Sequence, residues 1–494
     1  MSDDFPSIRH DGRVLVLGCG SVSQCLQPLL LRHLDMDHGR LTVMDMLDLR
    51  DRIPETLAAG ARFVQRQITP ENLAAELGEQ LGEGDLLVNL SWNIDTGDII
   101  EWCQRNGVLY VDTSVEDWDP YANQALTPPQ DRTLYHRHMK LRRRAAGWPA
   151  HGPTAVVEHG ANPGLVSHWT KVALTDIAHA MLKEPERLPA PLAPERRDRI
   201  ETALGDRDFA RLAREVGVKV IHISERDTQI GDVPKRVGEF VNTWSVEGFY
   251  EEGIAPAEMG WGTHEPELPA YAYEHESGPR NQICLARTGI STFVRSWVPA
   301  AGPIIGMVVR HGEAFTISDH LTVWEGDRAA YRPTVHYAYL PTDAAMASLH
   351  ECRMNGHRLQ TDQRIMNDEI VDGADELGVL LLGHDLNGWW VGSQLDIHET
   401  RTLTPHQNAT TLQVAASVLG AVHWILRNPD RGLCVPDDLD HEQVLAVANP
   451  YLGPSPSVAT DWTPRSAAYE PFSTFRPATG SSVEPWAFGN FLVE

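Results

Sequence analysis

Several short stretches combine residue types that do chemistry. Trp244, in Val241-Asn-Thr-Trp244-Ser-Val-Glu247-Gly248, is followed closely by Glu251 and Glu252. An indole near carboxylates suits an alkylammonium ligand, because the ring face attracts the cation while the carboxylates neutralise and orient it. The same tryptophan also fits a packed core. The strand-like Ile221-His-Ile-Ser-Glu225-Arg226-Asp227-Thr228 ends in a dense ionic cluster, which serves either catalysis or salt-bridged structure. His311-Gly312-Glu313 places an imidazole and a carboxylate on either side of one glycine, read here as a hairpin turn. Glu158-His-Gly160-Ala161-Asn162-Pro163-Gly164 is a rigid, glycine-bounded loop presenting Asn162. Asp372-Gly-Ala-Asp375-Glu376 puts carboxylates just before an apolar strand. No grouping has metal-ligand spacing, so no metal is expected. There is no nucleophile elbow, P-loop or Cys-His signature.

A second set points to a dinucleotide. Gly18-Cys-Gly20-Ser21-Val22-Ser23 follows an apolar run and opens a helix. The first glycine permits a tight turn, and the second lets backbone N–H groups approach a pyrophosphate at the positive helix end. Asp45 ends the next strand, where a carboxylate takes ribose hydroxyls and repels a 2′-phosphate, favouring NAD over NADP. Further turns at strand ends are Thr69-Pro70, Asn89-Leu90-Ser91 and Asp112-Thr113. Each lies where a doubly wound sheet forms its ligand crevice, although each also suits ordinary helix capping.

The elements that must carry these residues are legible. Strands are expected at 13–18, 41–45, 62–65, 86–89 and 108–112, with helices over 23–34, 70–82 and 97–106. This alternation predicts an α/β fold with a Rossmann-type doubly wound parallel sheet. A basic helix over 131–146 reads as a solvated or interface face. Pro185 to about Arg214 reads as a mobile excursion. From about 218 to 400 paired strands dominate, with hairpins expected at 304–310/313–318 and 379–382/390–395. The domains expected are a dinucleotide-binding domain over 1–160, completed by a buried apolar helix at about 405–428; an inserted α+β domain over 161–404 with a mostly antiparallel sheet; and a C-terminal arm over 429–494.

Composition sets the limits. The chain has 494 residues and a net charge of −26, which argues against nucleic acid and anionic membranes and allows a cationic small molecule. Six scattered cysteines without a CxxC pair suggest reduced thiols. An acidic N-terminus and the lack of a long apolar run point to a cytoplasmic protein. Only five lysines stand against 37 arginines, and none lies beyond Lys235, leaving little scope for a Schiff base.

Taken together these motifs resemble bacterial homospermidine synthases, a family with a saccharopine dehydrogenase-like fold. The strings that carry the likeness include Gly160–Gly164, His222–Gln229, Val241–Gly248, Glu258–Thr263, Tyr331–Thr334, Glu369–Leu382 and Asp461–Pro464, so it spans essentially the whole chain. The resemblance implies a cytoplasmic homodimer that uses tightly held NAD as a hydride store. Such an enzyme joins two putrescines, or spermidine and putrescine, into homospermidine, releasing ammonia or diaminopropane. By position, the family's site residues fall on Glu225, Trp244, Glu252, Asn162, His311, Glu313, Asp375 and Glu116. Gly18, Gly20, Ser21, Val22, Asp45, Thr69, Asn89, Ser91, Asp112, Thr113, Ala161, Asn162 and Pro163 would lie around the cofactor. In this scheme Glu225 or Glu252 is a general base and Trp244 holds a cation. Asn162 anchors the nicotinamide or the reacting amine, Asp375 and Glu116 line a channel, and His311 with Glu313 relays protons. One departure is Asn93, where the family is expected to carry aspartate.

Three rival readings have their own signatures. A saccharopine- or carboxynorspermidine-type dehydrogenase would need pocket arginines, for which Arg226 and Arg295 are available. A catalytically inactive NAD-binding scaffold and a polyamine-binding module are the others.

Overall fold

The computed structural model describes residues 6–121, 126–149, 151–467, 475 and 484–493. The acidic Met1–Phe5 segment and parts of the expected C-terminal arm lie outside the described residues.

Short apolar runs form a seven-stranded parallel sheet. Its order is Arg62–Gln65, Leu41–Asp45, Val14–Leu17, Leu86–Asn89, Leu109–Asp112, Ala155–Val156 and Leu433–Cys434. The chain winds outward from Val14–Leu17 in one direction, then restarts on its other side with Leu86–Asn89. The carboxyl ends of these two strands therefore flank a topological switch point, where such sheets bind ligands. The last strand arrives after the helix Ala409–Arg427, which packs on Ser21–His33. That helix is long and apolar enough to cross a membrane, but it is buried in protein.

A ten-stranded mixed sheet dominates the inserted region, with one strand, Ser457–Thr460, supplied from beyond it. At its centre Val220–Asp227 runs parallel to Thr334–Leu340 and antiparallel to Ala374–His384. The remaining ladders are antiparallel, as the pairing pattern predicted. Side chains alternate across a strand, and both faces are buried here. Ile221, Ile223, Tyr337, Tyr339, Leu377 and Val379 face the core shared with Leu165–Lys183 and Ala409–Arg427. Val220, Ala338, Leu380 and Leu382 face Trp462, Phe488 and Phe491 of the C-terminal segment. Glu225, Asp227 and Asp375 occupy odd positions, so the register aims all three at the dinucleotide side.

Three expectations are corrected. The hairpin 379–382/390–395 forms, as Ala374–His384 with Asn387–Asp396, but that over 304–318 does not. Gly302–Met307 is a strand, whereas Glu313–His320 is a helix beginning after Gly312. A helix buried on nearly every side has no polar face, and Phe315 and Ile317 mimic strand alternation. The supposed excursion contains the helices Pro194–Asp206 and Phe209–Val216, the first begun by proline at its first turn and the second ended by left-handed Gly217. The basic helix, Leu134–Ala145, is solvated only in part: Arg143 is exposed, whereas Arg137 and His138 are buried on it beside Leu134, Tyr135 and Met139.

Candidate active site

The glycine turn is built as its residues dictate. Gly18 has φ +93, and a Cβ there would stand 2.5 Å from the Leu90 carbonyl oxygen. Gly20 faces open space and caps Ser21–His33 without a side chain, leaving the N–H groups of Ser21 and Val22 at the positive helix end. Asp45 accepts from the Cys19 and Leu47 amides, each at 2.8 Å, which holds its carboxylate beside the turn. This cradle fits a dinucleotide: a pyrophosphate reaches backbone N–H groups, and Asp45 retains lone pairs for ribose hydroxyls. Ser91 continues the rim.

Other residues assigned to the cofactor play inner parts. Asp112 accepts from the Glu158 amide at 2.7 Å and the Tyr110 hydroxyl at 2.6 Å. Burial lifts its carboxyl well above the usual range. Asn89 donates to the Tyr110 hydroxyl and accepts from Ser91. Both act as buttresses behind the crevice. Thr69 donates its amide to Asn72 at a helix start. Thr113 packs beside Gly160, and Ala161 is buried in the loop that carries Asn162 and the cis Asn162–Pro163 bond. That loop is braced by Ser417, which donates to the Gly160 carbonyl. Asn93 takes left-handed φ +58, a conformation asparagine tolerates, and its Oδ1 is buried without a hydrogen-bond partner among the described residues.

Across the crevice lies a buried acidic cluster. Glu225 accepts from Asn162 Nδ2 at 3.0 Å and from the Tyr337 hydroxyl. Burial, reinforced by Asp227, raises its carboxyl to about 8 against the opposing effect of the Tyr337 hydrogen bond. Asp227 and Asp375 are direct cross-strand neighbours. Asp375 accepts from Thr410 at 2.6 Å, and Asp227 accepts from Thr243 and from Gln229. Burial raises Asp227 to about 6 and pushes Asp375 well up, with Glu225 adding to the latter.

A second cluster adjoins through Tyr337, whose ring lies 4.5 Å from that of His311. His311 Nε2 is 3.0 Å from Glu252, and its Nδ1 is 3.3 Å from Glu313. Burial opposes the imidazolium, but Glu313 and Glu252 outweigh it and hold His311 protonated well above its ordinary range. Trp244 donates to the Tyr339 hydroxyl at 3.2 Å and leans on Phe249. Tyr339 stacks on Tyr337 at 5.0 Å, which links the indole to Glu225. Glu116 stands apart, beside Arg137 and next to Asp117, which lines a cavity of about 150 Å³ together with Asp119, Glu251 and Arg310. Burial, then Glu251, lifts Glu116 to about 7. Glu251 itself goes the other way: burial would raise it, but Arg310 and Arg137 bring it down to about 2. Removing one partner from such a buried ionic group costs about 3–5 kcal/mol.

The ensemble is rich in carboxylates near a dinucleotide crevice, which fits a small polycation and hydride chemistry. A carboxylate-bearing substrate finds no welcome from the two arginines named above. Arg226 donates to the Asp227 and Pro341 carbonyls, and Arg295 donates to the Leu492 carbonyl on the opposite side of the sheet.

The comparisons agree with this geometry. Residues 14–156 match the model for the saccharopine dehydrogenase NADP binding domain, and residues 160–454 match that for the saccharopine dehydrogenase C-terminal domain. A homospermidine synthase from Blastochloris viridis is 43% identical over 98% of both chains. Another from Mesorhizobium japonicum is 40% identical over 98% of this chain and 96% of that one. The chain belongs to the homospermidine synthase family. The crystal structure of the family member from Legionella pneumophila in complex with NAD superposes with a TM-score of 0.86, at 36% identity and 99% coverage of each chain. The domain model carries NADP in its name, but Asp45 in this family member is the wrong charge for a 2′-phosphate.

Tyr337, Tyr339 and Thr410 are partners of the site residues that the sequence did not single out. Odd-numbered spacing in Thr334–Leu340 was the available signal, but only the register beside Val220–Asp227 puts those tyrosines on the site face. Glu251, read from sequence as a carboxylate for an alkylammonium, is instead taken by Arg137 and Arg310, and these contacts join segments more than 50 residues apart.

Proposed function

We propose that the protein is a homospermidine synthase, which condenses two putrescines, or spermidine and putrescine, with release of ammonia or diaminopropane and no net redox change. The observation that carries this reading is the buried Glu225–Asp227–Asp375 cluster opposite an NAD-type glycine turn. NAD, when bound, supplies reversible hydride acceptance at the substrate carbon that bears an amine.

The chain's own residues do the rest. An alkylammonium must lose its proton before it can donate hydride or attack an imine. Glu225, with its carboxyl lifted to about 8, is matched to take that proton near neutral pH. Asn162 orients Glu225 and borders the crevice. Trp244 holds the distal ammonium or a transient iminium through its ring. His311, between Glu252 and Glu313, delivers a proton to departing ammonia and regains one from the added amine, and Glu225 returns its proton to the secondary amine once the imine is reduced. Asp375 and Glu116, whose carboxyls burial raises, would give up their protons and carry compensating charge as an ammonium approaches along the substrate path. Burial excludes water that would hydrolyse the imine.

The enzyme is proposed to act in the cytoplasm as a homodimer. The six cysteines are free and buried, which suits a reducing compartment, and light scattering tests the assembly. Purified protein with putrescine and NAD should give homospermidine and ammonia by mass spectrometry. Accumulating NADH without homospermidine would instead indicate an amine dehydrogenase, and bound NAD without any product an inactive scaffold.

A further inference from the structure

The proposed reaction leaves two buried arginines without a task. Arg137 and Arg310 are 7% and 5% exposed, and both donate to a single atom, Glu251 Oε1, at 2.6 Å. Two guanidinium groups beside the path of a polycation would repel it unless they were neutralised. Glu251 neutralises one of these charges and Asp117, paired with Arg137, the other, and the neighbours of Glu251 in the chain give it a second consequence. It precedes Glu252 on the helix Val246–Ile254, and Arg310 precedes His311. Arg137 donates to the Val115 carbonyl at 2.9 Å and lies 4.0 Å from Glu116 and 3.1 Å from Asp117. One carboxylate oxygen thus joins three segments: those of Glu251 and Arg310 carry Glu252 and His311 beside the joint, and Arg137 reaches Glu116 on a fourth.

We propose that Glu251 is a positioning residue for this reaction, setting Glu252, His311 and Glu116 in mutual register and, with Asp117, cancelling the arginine charge beside the polyamine path. Its kinetic consequences rest on the homospermidine synthase reading; its structural consequence does not.

Glu251→Gln keeps the shape and one acceptor but loses the charge. With putrescine, kcat/KM should fall about 100-fold, through a higher KM and a lower kcat together. Adding Arg310→Gln should restore KM, because the excess positive charge is gone, while kcat stays low because His311 has lost its neighbouring anchor. A role confined to folding would reduce the yield of folded protein and leave both constants of the folded fraction unchanged, overturning the proposal. A turnover-free readout is the His311 resonance in ¹³C-histidine-labelled holoenzyme, assigned with His311→Gln. His311 is faced by Glu252, Glu313, Glu158, Glu225 and Tyr337 and adjoins Arg310. In Glu251→Gln it should titrate about one pH unit lower, with Arg310 left uncompensated. If the parent protein makes no homospermidine, the functional reading fails and this resonance alone decides the role of Glu251: a shift supports it and an unmoved resonance overturns it. Should Glu251→Gln fail to fold, Glu251→Asp keeps the charge with a shorter reach. Its KM should stay near the parental value while kcat drops about tenfold, and a parental kcat would overturn the proposal.

Discussion

Replacing Glu225 by glutamine separates catalysis from stability in a way the structure specifies. The amide keeps the volume and an oxygen acceptor for Asn162 and Tyr337, but it cannot take a proton. Loss of a positioned general base lowers turnover by about 10²–10⁴-fold, equivalent to about 3–5 kcal/mol in the barrier. Stability should move in the opposite direction. The folded-state carboxyl is raised from 4.5 to about 8, so its contribution is fully present below about pH 4.5 and is lost as pH rises to about 8. At pH 9 the parent carries that loss in full and the glutamine variant does not. The variant should therefore be more stable there by a few kcal/mol, with the advantage shrinking as pH falls toward 5. Urea unfolding of the cofactor-free proteins at pH 6 and pH 9 measures the stability effect, and kcat against pH measures the catalytic one. The parent should lose kcat as pH falls below about 8, and the variant should lack that limb. A variant that keeps more than a tenth of parental turnover, or gains no stability at pH 9, refutes the assignment of Glu225 as the base.

Other substitutions probe the remaining parts. Trp244→Leu removes the aromatic face and should lower kcat/KM for putrescine about tenfold, while Trp244→Phe retains part of it, with NAD content unchanged in both. Gly18→Ala places a Cβ 2.5 Å from the Leu90 carbonyl oxygen at positive φ and should abolish copurification of NAD, read by absorbance after denaturation. Asp45→Ala should relax the preference for NAD over NADP by about tenfold, measured as the ratio of dissociation constants.

Much of the dinucleotide half is legible because its signals are local. An apolar run, two glycines and an acid at the next strand end describe a turn that adjacent backbone alone can form. The hairpin of Ala374–His384 with Asn387–Asp396 is local in the same sense. The acidic site is not. Glu225 and Asp375 lie 150 residues apart, and only the register between two paired strands turns their carboxylates to one face. Glu313–His320 was mistaken for a strand because burial on nearly all sides erased its helical period. Arg137 illustrates the converse error: a basic helix suggests solvent, yet one of its arginines is buried against Glu251, and no composition rule singles it out.

The central claim is a hydride borrowed from one putrescine carbon and returned to the same carbon. Putrescine deuterated at both carbons next to nitrogen, supplied with excess unlabelled NADH, tests it by mass spectrometry of the product. The account predicts homospermidine that keeps all of its deuterium, with no change in NADH absorbance. Product lacking one deuterium, or NADH that rises or falls with turnover, would contradict it.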